Sequence, residues 1–346
     1  MNIADFDYEL PEELIAQHPA AQRDMARMLA LDRARGNWRD TVFAELPSFI
    51  APGDVVVINN TRVFPARLVG VREPSGGRIE LLLISERGDQ VWEALARPAR
   101  RLGPGERALF GGGRLRAEVI EALEEGRRVV RFECDGEFDA LLDEIGRVPL
   151  PPYIKRSADE SGAEDRERYQ TVYARKRGAI AAPTAGLHFT PRVLDEIRAR
   201  GAEIVEITLH VGYGTFEPVR VEDLSQHRVA PERCEISDEA AATINRARRS
   251  RGRIIAVGTT TTRALESAAD AAGWVHAGAR VAHLTITPGY RFRVVDALVT
   301  NFHLPRSSLL VLVAAFAGRE LVLAAYAHAV RERYRFYSYG DCMLIL

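Results

Sequence analysis

The stretch GTTTTRALES, residues 258 to 267, sets a glycine and four consecutive threonines where an apolar run, RIIAVG, gives way to a helical pattern. Strand, hydroxyl-rich turn and helix form a layout suited to polar or anionic ligands, because a helix N-terminus offers unpaired N–H groups and the positive end of its dipole. The turn carries no Lys and no GxGxxG spacing, which argues against nucleotide hydrolysis and dinucleotide binding. Thr259, Thr260, Thr261 and Arg263 are therefore candidates to contact a sugar, a carboxylate or a phosphate, and Thr262 is the expected N-cap. Glu266 falls one residue beyond capping-box spacing and is expected either to pair with Arg263 or to face the pocket.

Two more strings, APTAGLHF (182–189) and TLHVGYGTF (208–216), each end a strand-like run with a histidine among small residues. His188 and His210 are the candidate general bases or acids near neutral pH. Thr184, Gly186, Gly214 and Thr215 are the neighbours that would let a ligand approach. The string NFHLP adds Asn301 and His303 at a third strand end, and Asp341 is a further candidate acid. The eight histidines form no HxH or HxxxH pair, so no metal is expected. At the C-terminus, RERYRFYSYGD interleaves arginines with aromatic residues, the chemistry that grips unstacked RNA bases and phosphates. Arg333, Arg335, Tyr337 and Tyr339 are the candidate contacts there, and NRARRSRGR is a second basic run.

These residues need elements to hold them. The chain has 346 residues and a formal net charge of −1, so no global field announces a nucleic-acid partner. Lys155 and Lys176 are its only lysines, which leaves almost no candidates for Schiff-base chemistry. Cys134, Cys234 and Cys342 are widely spaced and fit a reducing compartment. The N-terminus is acidic rather than a signal sequence, and SSLLVLVAAFAG falls short of the ~20 residues a spanning helix needs, so a soluble cytoplasmic protein without a membrane association is expected. Residues 1–66 open with a helical reading of PEELIAQ and then a strand-like run, GDVVVINNTRVFPARL. From 67 to 148 the texture changes to short glycine-punctuated strands, expected to form a small all-β, barrel-like insertion. From 149 to 346 strands alternate with helices, which predicts an α/β domain with a mixed, largely parallel sheet. The α/β domain is thus expected to be discontinuous, 1–66 plus 149–346.

The strings NNTRVFPARL, PLPPYI, APTAGLHF, LHVGYGTFEPVR, VGTTTTRALES, DALVTNFHLPRSSLL and YRFYSYGD follow one another along nearly the whole chain. In that order they resemble the S-adenosylmethionine:tRNA ribosyltransferase-isomerase family of queuosine biosynthesis. The resemblance implies an α/β domain with an inserted β-barrel. It implies transfer and isomerisation of the ribosyl moiety of S-adenosylmethionine onto 7-aminomethyl-7-deazaguanine at the tRNA wobble position. Epoxyqueuosine-tRNA, adenine and methionine would be the products, with S-adenosylmethionine as co-substrate, no prosthetic group and no obligate protein partner. Arg62 and Arg67, in the first string, join the candidate tRNA contacts. In such a reaction His188 or His210 would take a C5′ proton acidified by the sulfonium, and Glu266 or Asp341 would protonate departing adenine. The threonine turn and Arg263 would hold ribose or the methionine carboxylate. Two departures from the family pattern stand out: Thr261 and Thr262 replace a serine and an apolar residue, and in HRVAPE, between His227 and Glu232, Ala230 replaces a second histidine. The alternatives are a tRNA methyltransferase using the same co-substrate and a non-catalytic tRNA-binding module.

Overall fold

The runs VVVIN, IIAV and ALVTN lack polar alternation, the mark of strands covered on both faces, and all three are buried from end to end. The computed structural model describes residues 1–156, 162–216 and 219–346, and the side chains of Thr215 and Phe216 lie outside the described ones. In chain order the first strands are β1 (Arg27–Asp32), β2 (Asn37–Val42), β3 (Val55–Asn59) and β4 (Thr61–Val63). Six more follow, β5 (Arg67–Glu73), β6 (Arg78–Gly88), β7 (Val91–Arg97), β8 (Arg107–Phe110), β9 (Leu115–Ala122) and β10 (Arg127–Cys134). The remainder are β11 (Lys176–Ala179), β12 (Glu203–Leu209), β13 (Glu232–Ile236), β14 (Ile254–Val257), β15 (Gly278–Ala282), β16 (Ala297–Asn301) and β17 (Cys342–Ile345). The α-helices are α1 (Phe138–Ile145), α2 (Ala163–Arg168), α3 (Pro191–Ala199), α4 (Asp238–Arg249), α5 (Thr259–Ala268), α6 (Ser308–Ala317) and α7 (Arg319–Arg331).

Nine strands form one sheet in the order β15-β13-β12-β3-β14-β16-β17-β1-β2. Its centre, β12, β3, β14 and β16, is parallel, and β17 returns antiparallel to β16. Alternate residues of each central strand feed opposite layers: Val55, Val57, Ile254 and Ala256 face α4 to α7, while Val56, Ile58, Ile255 and Val257 face α3 and the Phe43–Phe49 turn. Each such buried side chain contributes ~1.5–3 kcal/mol, far more than any single helix cap, so the sheet rather than local propensity fixes where the loops emerge. Thr190 caps α3 by accepting from the Val193 N–H at 3.3 Å, with Pro191 at the first helical position, as the sequence predicts. No single helix among the described residues is long and apolar enough to cross a membrane.

Strands β5 to β10 close into a barrel with its own core, into which Phe138 and Leu142 of α1 also pack. A two-stranded ribbon of β4 and β11 lies at the barrel's neck. The helical reading of PEELIAQ fails: only the 3-10 turn Glu12–Leu14 forms. Ile15 is drawn into a parallel bridge with Phe336, and that long-range pairing overrides a short helical propensity.

Candidate active site

Helix α5 starts earlier than the capping rule predicts. Gly258, at φ +95°, is its N-cap and Thr259 its first residue, so Thr262 is no cap. The Thr262 hydroxyl donates to the Gly258 carbonyl at 3.1 Å and that of Thr261 to the Val257 carbonyl at 2.7 Å, both wholly buried. Such back-bonding occupies the hydroxyls inside the helix. Thr261 is therefore removed from the set of ligand contacts. Thr259 and Thr260 remain, lining a cavity of about 50 Å³ with Thr184, Asn301, His303 and Tyr337. It sits at the carboxyl ends of β14 and β16, the position at which open α/β sheets bind ligands. Its volume is far below the ~300–1,000 Å³ of small-molecule sites.

The two histidines nearest that corner are held neutral. Burial pushes His303 down to about 3, and its Nε2 shares a 2.8 Å hydrogen bond with the Thr300 hydroxyl. His188 does not join the same cavity. It lies in a separate hollow of about 20 Å³ with Arg23, Arg168 and Tyr339, its ring 5.2 Å from that of Phe43. Burial, then the charges of Arg335 and Arg23, bring it down to about 4. Its buried ring lies beside the Asn301 side chain, which works weakly against that depression, while the Asn301 amide donates to the Tyr337 carbonyl at 2.9 Å. Gly186 is small for a reason other than ligand approach, since a Cβ there would stand 2.2 Å from the Tyr173 hydroxyl.

Neither candidate acid lines the cavity of about 50 Å³ or the hollow around His188. The Glu266 carboxylate accepts from the Tyr290 hydroxyl at 3.0 Å and from the Arg293, Val294 and Val295 N–H groups at 2.9, 3.0 and 3.0 Å. Among the described residues it pairs with no arginine, and it anchors the loop that leads into β16. Asp341 accepts from the Arg27 and Arg335 N–H groups at 2.9 and 2.8 Å and is buried, which raises its carboxyl above the usual range. Both carboxylates are engaged by the protein's own backbone, for one reason: a buried carboxylate is worth most where it satisfies several backbone donors. Arg263 is likewise taken. Its guanidinium donates to Glu232 at 2.5 Å and to the Leu284 carbonyl at 2.9 Å, with both side chains 4 % exposed, so it offers no free charge to a carboxylate.

The aromatic C-terminal segment is core rather than an RNA platform. Tyr334 and Phe336 are fully buried, and Tyr339 donates to Asp165 at 2.8 Å. Tyr337 packs edge-on against Tyr153, ring centroids 3.9 Å apart, beside the small cavity. Arg335 donates to the His18 carbonyl at 3.2 Å and Arg67 to Glu80 at 2.8 Å. Of the six expected tRNA contacts, Arg62 and Arg333 are exposed.

A much larger cleft, about 1150 Å³, opens between the barrel and the ends of β12 and β13. Phe64, Trp92 and Arg97 line its barrel side, and His210, Gly214 and Glu232 its sheet side. It meets the small cavity at Val211, which lines both. His210 is half-buried, and burial followed by the Arg233 charge lowers it below its ordinary 6.5. Its Nδ1 lies 2.9 Å from the Thr61 hydroxyl, which also reaches the Lys176 carbonyl at 3.4 Å. Gly178, at φ +149°, leaves room for the ring, because a Cβ there would stand 2.7 Å from two of its atoms. Gly214 touches Ala230, and Glu232 accepts from the Gly212 N–H at 3.2 Å while holding Arg263. The backbone of Thr215 lies in the 3-10 turn Tyr213–Phe216, and its side chain is outside the described residues. No group of three or more His, Cys, Asp or Glu among the described residues could hold a metal.

Sequence reasoning missed Gly178 and Trp92, which line the cleft, and Thr61, which is buried behind it against His210. Only Gly178, as a glycine, carried any local sign of close approach.

A family model described as Queuosine biosynthesis protein matches residues 3–345. Proteins named S-adenosylmethionine:tRNA ribosyltransferase-isomerase from Symbiobacterium thermophilum and Syntrophotalea carbinolica are each 52 % identical, and one from Acetivibrio thermocellus is 51 % identical. All three comparisons cover 100 % of both chains. The crystal structure of S-adenosylmethionine tRNA ribosyltransferase from Thermotoga maritima is 35 % identical, with a TM-score of 0.56 over 99 % of this chain and 100 % of that one.

Proposed function

This chain belongs to the queuosine biosynthesis protein family, and from that premise we propose that it transfers and isomerises the ribosyl moiety of S-adenosylmethionine onto a 7-aminomethyl-7-deazaguanine base in tRNA, in the cytoplasm. The observation that carries this is full-length identity of about one half to proteins bearing that activity in their name. Adenine and methionine leave, and epoxyqueuosine-tRNA is the product. The division at residues 66 and 149 is proposed with it, supported by a barrel whose first strand begins at Arg67 and whose core is its own.

The reacting groups belong in the cleft rather than in the small cavity, on grounds of volume. His210 is the base that takes the C5′ proton. With the Thr61 hydroxyl proton on the Lys176 carbonyl, Nδ1 carries the imidazole proton and donates to Thr61, so Nε2 keeps its lone pair. A depressed pKa leaves that nitrogen unprotonated at neutral pH. His303, neutral, enclosed and hydrogen-bonded to Thr300, lines the small cavity behind the cleft, and His188, also neutral, lies in its own hollow. Thr259, Thr260, Thr184 and Asn301 line the floor onto which the cleft leads.

The test is adenine release from S-adenosylmethionine, with and without tRNA carrying the aminomethyl-deazaguanine base. Adenine formed only with that tRNA is the expected result. S-adenosylhomocysteine instead would establish a methyltransferase, and tRNA binding with no consumption of the co-substrate would establish a binding module.

A further inference from the structure

We infer that the barrel turn carrying Arg97, Arg100 and Arg101 is a phosphate-gripping surface that holds the RNA strand on either side of the base entering the cleft. The inference rests on the reading of function above, which supplies the RNA.

Three independent observations converge on this turn. First, it gathers three unengaged arginines within five residues; the barrel's other exposed arginines without an ion pair among the described residues, Arg78, Arg116 and Arg131, are scattered over separate strands. Arg67, Arg87, Arg107, Arg114 and Arg127 each pair with a glutamate. Arg97, Arg100 and Arg101 are exposed and form no ion pair or side-chain hydrogen bond among the described residues. Second, the turn is fixed from beneath by further cations. Arg128 is 8 % exposed, and its guanidinium donates to the carbonyls of Leu102 and Ala99, both at 2.5 Å, and of Arg127 at 2.7 Å. Arg72 donates to the Arg101 carbonyl at 2.8 Å. The turn thus stands on cationic side chains, with the buried Arg128 held by carbonyl oxygens and Arg72 shared between the Arg101 carbonyl and Glu106. Glu125, brought beside the turn where Gly126 approaches Ala99, is engaged by Arg220. Third, the turn lies on the rim of the cleft, since Arg97 and Ala99 both line it.

A rigid turn presenting three free guanidinium groups over buried positive charge, at the mouth of a cleft wide enough for a base, fits a polyanion that passes over the mouth and drops one unit inside. Phosphates flanking an extruded base have that geometry, and arginine is the side chain that binds them through parallel N–H donors. The contact is to backbone rather than base, so it adds affinity and register without reading sequence.

Tight binding of the substrate tRNA, measured against salt concentration, tests it. Each phosphate contact removed lowers the slope of log K against log salt by about one. The double variant Arg100→Gln/Arg101→Gln should therefore lose about two units of slope, with unchanged thermal stability. Arg198→Gln, on an exposed arginine of α3 paired with Asp195, serves as the control and should keep the wild-type slope. A wild-type slope in the double variant, or an equal loss in the control, overturns the inference while leaving the functional reading intact. Failure of the unaltered chain to bind this tRNA overturns both.

Discussion

At the carboxyl ends of β14 and β16, almost every polar side chain is turned toward the protein: Thr261 and Thr262 bond their own helix, Glu266 holds a loop, and Arg263 is locked to Glu232. Across Val211, in the cleft beside the barrel, His210 stays half-exposed with one ring nitrogen engaged, and Arg97 on the rim forms no ion pair among the described residues. The two regions lie side by side and are built from comparable residue types. They differ in access to water. Where the sheet, α5 and α6 enclose the corner, each polar atom needs an internal partner or costs ~1–3 kcal/mol, so polar residues accumulate there as mutual satisfaction. Where barrel and sheet only face each other, the same atoms are left for a ligand. A dense polar motif is thus a weaker guide to chemistry than an unengaged polar group in a wide opening.

The sharpest way to break this contrast is to remove a histidine from each side. His210→Ala should lower kcat by ~10²–10⁴ with little change in Tm, as deletion of a general base does. His303→Ala should act mainly on stability. Single-turnover adenine release beside a melting curve separates the two. Near-normal turnover in His210→Ala would move the chemistry to the enclosed corner.

Arg263 probes the enclosed side from the other direction. Arg263→Ala strands the Glu232 carboxylate in a site 4 % exposed, and breaking such a buried pair costs ~3–5 kcal/mol. A urea titration should show that loss. Folded protein, assayed at low temperature, should still bind S-adenosylmethionine. Lost binding with unchanged stability would restore Arg263 as a ligand contact.

The neutral histidines of the corner give a pH signature. His188 stands at about 4 folded against an ordinary 6.5, so the unfolded chain takes up its proton first. Stability from this group is whole above pH 6.5 and is lost as pH falls toward 4, by ~3 kcal/mol in all. His188→Gln should flatten that part of the stability–pH curve, read by urea midpoints between pH 7 and 4. An unchanged curve would mean that His188 is protonated in the folded state.

The architecture was legible because long-range order leaves periodic traces. Unbroken apolar runs announced the covered parallel strands, and glycine-punctuated alternation from 67 onward announced the barrel. The site was legible only in its neighbourhood. His210, Thr259 and Thr260 line cavities as their strand-end positions suggested. Glu266 and Asp341 did not, because the backbone N–H groups that claim them come largely from far along the chain, the loop before β16 about thirty residues on and the start of β1 about three hundred residues back. The C-terminal aromatics failed likewise: an Arg/Tyr alternation looks the same whether its rings face RNA or, as with Tyr334 and Phe336, fill the core. Which polar groups remain unengaged is a property of the assembled surface.

Thr61 tests the contrast at its boundary, because it is fully buried yet serves the open cleft. Its hydroxyl lies 2.9 Å from His210 Nδ1, and its own N–H is held by the Asn59 side chain at 3.1 Å. An enclosed residue of the corner type would act on stability, whereas a positioning residue acts through the imidazole it orients. Thr61→Val keeps the shape and removes the acceptor of the Nδ1 proton. One hydrogen bond of ~1–1.5 kcal/mol corresponds to roughly a tenfold fall in kcat at pH 7.5. The pH profile carries the diagnostic part. Burial and Arg233 already place His210 below 6.5, so activity falls as pH drops through that lowered value. An acceptor on Nδ1–H favours imidazolium over imidazole, so its removal should shift the acid limb of kcat/KM to still lower pH. Thr61→Ser, which returns the hydroxyl, should restore both the rate and the limb. A Thr61→Val enzyme that loses stability but keeps kcat and its acid limb would assign Thr61 to the packing of the barrel's neck and leave His210 to be oriented by Gly178 and the ring's own enclosure.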